Sequence, residues 1–274
     1  MFTLACFADE ISPELSEQIA HCVANKVMHI ELRSMGKTNV LDFSADQRRD
    51  IRQQLADGGV DVVCIGSPIG KVRIDEPWEP HAERFKIALD AAEYFGANLV
   101  RIFSYYPPPG EDILKYRDRV LERMRAKLQL LGERPITLLH ENEVKIYGQH
   151  GAQCLDLATS IVSPKFHLAF DFANFVQAGE RPLEIWPALK PYVTHVHVKD
   201  ALLADGKVVP PGLGDGQLEP ILKDLHQSGY NGFLSLEPHL AAHGQFAGFS
   251  GPGLFKVATD ALKGILDRNG MAWR

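Results

Sequence analysis

The chain has 274 residues, of which 45% are hydrophobic and 23% charged, and its formal net charge is -6 at pH 7. This composition is ordinary for a globular enzyme, and the acidic balance argues against a nucleic-acid-binding surface, which is basic. The sequence has no run of roughly 20 apolar residues that would span a membrane, and its first residues lack the basic region of a signal peptide. We therefore expect one soluble, cytoplasmic domain over residues 1–274.

The four cysteines are predicted to be reduced core residues. Cys6 and Cys64 lie in apolar, strand-like runs, and Cys22 lies on the apolar face of a predicted helix. None of the four, which include Cys154, forms a C-x-x-C pair. The pattern therefore favours buried thiols over a disulfide framework or a thiolate metal site.

A short apolar run, a polar loop and an amphipathic helix recur along the chain. Ser12-Pro13 predicts the N-cap and first residue of the first helix, and Gly96 and Gly132 predict the ends of the third and fourth helices. The apolar runs resemble strands of a parallel sheet that is covered on both faces. The eight predicted strands are 3–8, 28–32, 60–66, 98–103, 135–141, 166–171, 193–198 and 232–237.

Alternating strands and helices form either a closed barrel or an open, doubly wound sheet. Eight regular units favour closure, and no G-x-G-x-x-G motif follows the first strand to support an open dinucleotide-binding sheet. The sequence therefore predicts an α/β fold, a single-domain (β/α)8 TIM barrel. Its longest irregular stretches, 199–216 and 238–252, follow late strands, where barrel enzymes build their sites.

Four consecutive predicted strands end near a residue that can bind a metal: Glu141, Asp171, His197 and Glu237. A lone carboxylate at a strand end is more often a helix cap, but its recurrence on four neighbouring strands predicts convergence at one rim. Three carboxylates and one imidazole suit one divalent ion, with Mn²⁺, Mg²⁺ or Co²⁺ favoured and Zn²⁺ compatible. Without a cation, the buried carboxylates would repel one another. His195 shares the face of His197, but we assign it mainly a structural role.

Several motifs resemble those of the xylose-isomerase-like barrels. They are HENE (140–143), F-D-x-A-N (170–174), H-V-K-D (197–200) with P-G-x-G (211–214), and S-L-E-P-H (235–239). The family includes sugar phosphate isomerases and epimerases, ketose 3-epimerases, inosose dehydratases and, more distantly, endonuclease IV. The segments 8–12, 31–33 and 65–71 resemble an uncharacterised subgroup. The resemblance covers nearly the whole chain and implies the same four metal ligands.

Two departures from the family pattern bear on the predicted number of metal ions and on the predicted substrate. Many relatives have a histidine where this chain has Asn174, which favours a site for one metal. Ketose 3-epimerases have an arginine shortly after the seventh-strand histidine, whereas residues 199–207 of this chain contain none and leave Lys199 as the nearby cation.

Other polar residues near the predicted rim are candidates for substrate binding: Lys199, Asn174, Arg33, Ser67, Lys71, Arg101 and His239. The glycine-rich segment 211–216 could offer backbone N–H groups to a phosphate, although a simple chain reversal is favoured.

The predicted activity is isomerisation or epimerisation of a small sugar or sugar phosphate through an enediolate. By resemblance to the epimerases, Glu141 and Glu237 exchange protons on opposite faces of the substrate. The main alternative is a dehydratase of a cyclic polyol or a shikimate-type acid. An endonuclease IV-like enzyme, which needs extra histidines and a basic groove, and a non-catalytic binding barrel are less favoured. We expect a carbohydrate as the only partner apart from the metal, and the family implies a homodimer or homotetramer.

Overall fold

Eight parallel strands close into a barrel in which neighbouring strands follow one another along the chain and the last strand pairs with the first. The structure, a computed structural model, describes residues 1–241 and 248–274, so part of the predicted irregular stretch 238–252 lies outside the described residues. The predicted closed barrel is confirmed. The strands are β1 Thr3–Cys6, β2 His29–Leu32, β3 Asp61–Ile65, β4 Leu99–Ile102, β5 Thr137–Glu141, β6 Phe166–Asp171, β7 Val193–Val198 and β8 Phe233–Leu236. β6 and β7 have the predicted bounds, and the other strands are one or two residues shorter.

The helices follow the strands and cover the outside of the barrel. No helix in the described part of the chain is long and apolar enough to cross a membrane. Two small antiparallel pairs, Ser34–Met35 with Thr38–Asn39 and Asp200–Ala201 with Val208–Val209, lie in loops. The helices are α1 Leu15–Ala24, α2 Ala45–Gly58, α3 Trp78–Phe95, α4 Arg117–Leu131, α5 Gly151–Ser160, α6 Phe172–Gln177, α7 Pro182–Leu189, α8 Leu218–Gln227 and α9 Gly251–Arg268.

The predicted start of α1 is wrong. Its N-cap is Glu14, in an extended conformation, and not Ser12. The Ser12 hydroxyl accepts the Glu14 N–H at 3.1 Å, and the Ser12 carbonyl accepts the Gln18 side-chain amide at 2.7 Å. Ser12 therefore orders the turn before the helix. Gly96 and Gly132 do end α3 and α4, both with positive φ.

The core has two layers, and their arrangement leaves one end of the barrel open for a site. The larger layer packs the helices against the strands. Inside the barrel lies a smaller apolar cluster that includes Ala5, Cys64, Leu139 and Ala169. All four cysteines are free and buried, as predicted. Because the strands are parallel, their carboxyl ends meet at one rim.

Candidate metal centre

The four predicted ligands come together at the carboxyl ends of β5 to β8. Glu141 and Asp171 are the last residues of β5 and β6, His197 is the penultimate residue of β7, and Glu237 follows β8 directly. All four are buried, and one ligand atom from each lies within 4.8 Å of the others. His197 Nδ1 is 3.0 Å from Glu141 Oε1 and 3.9 Å from Glu237 Oε2.

The donor atoms of this cluster fit a cation. Within residues 1–241 and 248–274, Glu141 Oε2, Asp171 Oδ2 and His197 Nδ1 are buried without a hydrogen bond of acceptable geometry. The two carboxylate oxygens make ion-pair contacts with basic side chains, and His197 Nδ1 faces a carboxylate oxygen of Glu141. Three carboxylates and one imidazole are ligands suited to a divalent metal. This part of the chain can therefore bind a metal ion.

Two side chains predicted to bind substrate contact the carboxylates of this cluster. Arg101 Nη1 lies 3.0 Å from Glu141 Oε2 and 3.6 Å from Glu237 Oε1. Lys199 Nζ lies 3.0 Å from Asp171 Oδ2 and 3.4 Å from Glu237 Oε2. Both basic side chains are nearly fully buried. They partly neutralise the three carboxylates.

A second group of ion pairs lies beside Glu237. Arg33 Nη1 is 3.0 Å from Glu237 Oε1, and Arg33 Nε is 2.8 Å from Asp9 Oδ2. His239 Nε2 is 3.0 Å from Glu10 Oε1 and 3.5 Å from Glu237 Oε1. The sequence analysis did not identify Asp9 or Glu10 as site residues. The motif at 8–12 was the available signal, because it follows β1 and so reaches the same rim.

The pKa values of the carboxylates in this cluster reflect burial set against neighbouring charges of both signs. Burial would raise the pKa of Glu141, but His197 and Arg101 outweigh it and lower that pKa to about 2. Burial raises the pKa of Asp171 to about 6; Lys199 opposes this rise, while the carboxylates of Glu141 and Glu237 add to it. Among the three carboxylates of this cluster, Asp171 is therefore the one whose burial is least offset by nearby positive charge.

A cavity of about 280 Å³ opens onto the cluster. This volume is near the low end of the range for ligand pockets and suits a small polar molecule. At the cavity, Lys71 Nζ lies 2.8 Å from Glu143 Oε2 and 4.3 Å from the centre of the Phe103 ring. The lining residues are Arg33, Asn39, Gly66, Pro68, Lys71, Arg101, Glu141, Glu143, Lys199, Glu237 and His239.

Two predicted substrate-binding residues do not line this cavity. Ser67 is fully buried, and its hydroxyl donates to the Arg101 carbonyl at 2.5 Å. This contact gives Ser67 a structural role, and substrate binding by Ser67 stays a prediction. The Asn174 amide donates to the Asn142 carbonyl at 2.9 Å and approaches Glu141 Oε1 at 3.4 Å. Asn174 is therefore placed to orient Glu141.

The glycine-rich segment 211–216 surrounds a carboxylate of the protein itself. Backbone N–H groups of Gly212, Gly214 and Gly216 donate to Asp200 at 2.8, 3.0 and 2.9 Å. A Cβ atom on Gly214 would lie 2.4 Å from Asp200 Oδ1, so the loop requires glycine there. These N–H groups are not available to a phosphate, which supports the favoured structural interpretation.

Asn142 is a residue whose role the sequence analysis missed. Its side-chain amide donates to the Asp171 carbonyl at 2.9 Å, and its side-chain oxygen accepts the Asp171 N–H at 2.9 Å. This double hydrogen bond fixes the ends of β5 and β6 relative to each other. Because successive side chains of a strand face opposite sides, the position of Asn142 next to Glu141 indicated that it points away from the Glu141 side. This alternation does not identify Asp171 as its hydrogen-bond partner.

The family described as "Xylose isomerase-like TIM barrel" matches residues 19–255. The chain belongs to this family. Among curated relatives, inosose dehydratase of Lacticaseibacillus casei is 26% identical over 148 residues, covering 46% of this chain and 50% of the relative. The 3-dehydroshikimate dehydratase of Bacillus anthracis is 20% identical over 134 residues, covering 49% and 48%. The chain thus matches about half the length of these curated relatives.

Solved structures of low sequence identity share the fold. The probable 3-DHS dehydratase AsbF of Bacillus anthracis has a TM-score of 0.75 at 17% identity, covering 96% of this chain and 98% of that one. D-psicose 3-epimerase of Clostridium cellulolyticum H10 has a TM-score of 0.76 at 14% identity, covering 99% of each. A xylose isomerase-like TIM barrel protein of Mycobacterium smegmatis, solved with magnesium, has a TM-score of 0.73 at 17% identity, covering 98% and 97%.

Proposed function

We propose that this protein is a divalent-metal-dependent isomerase or epimerase of a small sugar or sugar phosphate in the cytoplasm. The observation that supports it most directly is that two carboxylates, Glu141 and Glu237, line one cavity and lie beside His197 and Asp171. When bound, a divalent ion, with Mn²⁺, Mg²⁺ or Co²⁺ favoured and Zn²⁺ compatible, polarises a substrate carbonyl and stabilises negative charge on its oxygen.

The two glutamates carry the proton transfers. One carboxylate removes the proton from the carbon next to the carbonyl, which gives an enediolate. In an epimerisation, the other glutamate returns a proton to the same carbon from the opposite face. In an aldose–ketose isomerisation, one carboxylate returns the proton to the neighbouring carbon. Epimerisation thus needs both glutamates and isomerisation needs only one of them, so the substrate pose decides between the two reactions.

The basic side chains bind and orient the substrate. Arg101 and Lys199 are buried at the carboxylate cluster and can donate hydrogen bonds to hydroxyl or anionic oxygens. Lys71 lies at the cavity wall and is paired with the part-exposed Glu143, so it can contact a distal phosphate. The phosphate, if present, is held by these side chains and not by the 211–216 loop.

Dehydration is the second candidate function. It is favoured by the names of the two curated relatives, an inosose dehydratase and a 3-dehydroshikimate dehydratase. The reaction begins with the same proton abstraction next to a carbonyl. A β-hydroxyl then leaves with a proton as water. Arg101 and Lys199 would suit the carboxylate of a shikimate-type acid as well as they suit a sugar.

One experiment separates these reactions. The protein is loaded with Mg²⁺ in D₂O, incubated with ketoses, their phosphates, inososes and 3-dehydroshikimate, and followed by NMR and mass spectrometry. Deuterium in a product isomeric with its substrate supports the isomerase or epimerase proposal. A product that has lost one water supports dehydration. Absence of exchange and of product with every substrate, under conditions where metal is bound, would contradict both.

A further inference from the structure

A carboxylate that the proposed mechanism does not use lies beneath His197. Glu31, on β2, is buried inside the barrel, and its Oε1 atom faces two histidines of β7. His195 Nε2 is hydrogen-bonded to it at 2.7 Å, and His197 Nε2 lies 3.1 Å from the same oxygen. All three side chains have 0% exposure. His197 is thus contacted on one ring nitrogen by Glu31 and on the other by Glu141.

The backbone of β2 is irregular at this residue. The pairing of β2 with β3 shifts register between Ile30 and Glu31. Such bulges redirect a side chain at a functional rim. A carboxylate in a barrel interior is costly unless it is paired, and an apolar residue would fill the space without that cost. The burial of Glu31 therefore indicates a role in holding the two histidines.

The orientation of His197 follows from what each neighbour can do. An ionised carboxylate only accepts hydrogen bonds, so Glu31 favours a proton on Nε2 and Glu141 favours one on Nδ1. A cation held by Glu141 would displace the proton from Nδ1 and leave the one on Nε2, which faces Glu31. A neutral imidazole with its proton on Nε2 has its lone pair on Nδ1, which is the nitrogen that faces Glu141 and Glu237. The ring is also packed edge-on against Phe7 at 5.3 Å and perpendicular to His195 at 5.2 Å, which restricts rotation.

We propose that Glu31 is a positioning residue that holds His197 as the tautomer with a free Nδ1, the nitrogen that would ligate the metal, and that His195 anchors Glu31 from the other side. This inference rests on the proposed metal-dependent function. Partners of this kind fix the tautomer and raise the basicity of a ligating histidine, and their loss weakens metal binding about 10–100-fold.

The same three residues are also close enough to hold a cation of their own. The 2.7 Å hydrogen bond between His195 and Glu31 argues against it, because a proton already occupies that contact. Metal stoichiometry distinguishes the two roles. Orientation by Glu31 predicts one Mn²⁺ per chain in the wild type and in E31Q, whereas a second site predicts two in the wild type and one in E31Q.

The test combines calorimetry with NMR. Mn²⁺ is titrated into wild type, E31Q and H29Q, the last a control on the same strand, and ¹⁵N-histidine spectra are recorded on the Zn²⁺-loaded proteins. We expect E31Q to bind Mn²⁺ about 10–100-fold more weakly, with H29Q unchanged. The wild-type spectrum should show His197 ligating through Nδ1 with Nε2 protonated, and this measurement needs no variant to fold.

The results distinguish a failure of the positioning role of Glu31 from a failure of the proposed metal-dependent function. Ligation through Nε2 of His197, equal Mn²⁺ affinity of E31Q and wild type, or a second Mn²⁺ that E31Q loses would each overturn the positioning role. In all three cases the wild type still binds metal, so the proposed function stands. A wild-type protein that binds no Mn²⁺ and no Zn²⁺ would overturn the metal-dependent function and, with it, the role of Glu31.

Discussion

Lys199 Nζ lies 3.0 Å from Asp171 Oδ2, so a buried lysine forms an ion pair with a carboxylate that is proposed to bind the metal. The lysine and a divalent ion compete for the same negative charge. Replacing Lys199 with Met should therefore tighten Mg²⁺ binding while removing a donor to the substrate. We expect a several-fold gain in Mg²⁺ affinity and a loss of about 10²-fold in kcat/KM, equivalent to about 3 kcal/mol of transition-state stabilisation.

Calorimetry and initial rates at saturating Mg²⁺ measure the two effects separately. K190M, a change at an outer lysine paired with Asp224, is the control and should alter neither value. Weaker Mg²⁺ binding by K199M would show that Lys199 supports the metal site and does not compete with the ion.

Asp200 should determine the stability of the 211–216 loop. Asn at this position keeps the size but loses the charge and one of the two acceptor oxygens that receive the glycine N–H groups. We expect D200N to lower the free energy of unfolding by about 1–3 kcal/mol, measured by urea denaturation. D205N alters an exposed aspartate in the neighbouring turn and should change stability by less than about 0.5 kcal/mol. Equal effects of the two variants would contradict the proposed role of Asp200.

Buried Lys127 on α4 should destabilise the fold. Its Nζ donates to the Tyr105 hydroxyl at 2.6 Å, and among the described residues no carboxylate lies within salt-bridge distance of it. Burial, reinforced by Arg123, holds the pKa of Lys127 well below its usual value. At pH values between this lowered pKa and the usual pKa of lysine, folding releases a proton, which opposes stability. Replacement with Met should raise the free energy of unfolding by about 1 kcal/mol or more, and thermal unfolding at pH 7 and pH 10 should show the gain shrinking at the higher pH. A destabilised K127M would contradict this.

His81 on α3 should contribute to acid unfolding. Burial, with help from Lys127 and Arg123, lowers the pKa of His81 to about 3 in the folded protein, whereas an unfolded histidine titrates near pH 6.5. Below pH 6.5 the unfolded state therefore binds a proton that the folded state excludes, and stability falls until the pH reaches about 3. The loss at pH 5 is about 2 kcal/mol at most. H81Q should flatten the stability curve between pH 6.5 and 4, measured by urea denaturation, and an unchanged curve would contradict this contribution of His81.

The ligand set could be predicted from sequence because parallel strands bring their ends to one rim, so position along the chain was enough to group Glu141, Asp171, His197 and Glu237. Whether these residues bind a metal stays a prediction. The sequence did not show on which face of its strand the Arg101 side chain lies, because the register of the strand within the barrel determines this. The contact of Glu31 with His197 depends on a register shift in β2, and the contact of Asp200 with glycine N–H groups depends on the path of the 211–216 loop. Neither contact could be predicted from the local sequence pattern.

The start of α1 was mispredicted for a similar reason. Ser12-Pro13 has the residue types of a helix start, but the serine hydroxyl and carbonyl are both used in the preceding turn. Local preference is a weak guide where a tertiary turn competes for the same groups. The bounds of β6 and β7 were predicted correctly: β6 ends at the charged Asp171, and β7 ends at Val198, directly before the charged Lys199.

One divalent metal ion is proposed to bind to Glu141, Asp171, His197 and Glu237, and a substitution of Asp171 tests this site most directly. Its carboxylate also caps α6 by accepting the Asn174 N–H at 2.7 Å; asparagine can make the same cap, so D171N removes a ligand charge and keeps the helix start. The measurement is a Mn²⁺ titration of wild type and D171N by calorimetry, with D42N, at a surface ion pair, as control. We predict one Mn²⁺ per chain in wild type and D42N and binding at least about 10-fold weaker in a folded D171N. Undiminished binding by D171N, or none by the wild type, would contradict the account.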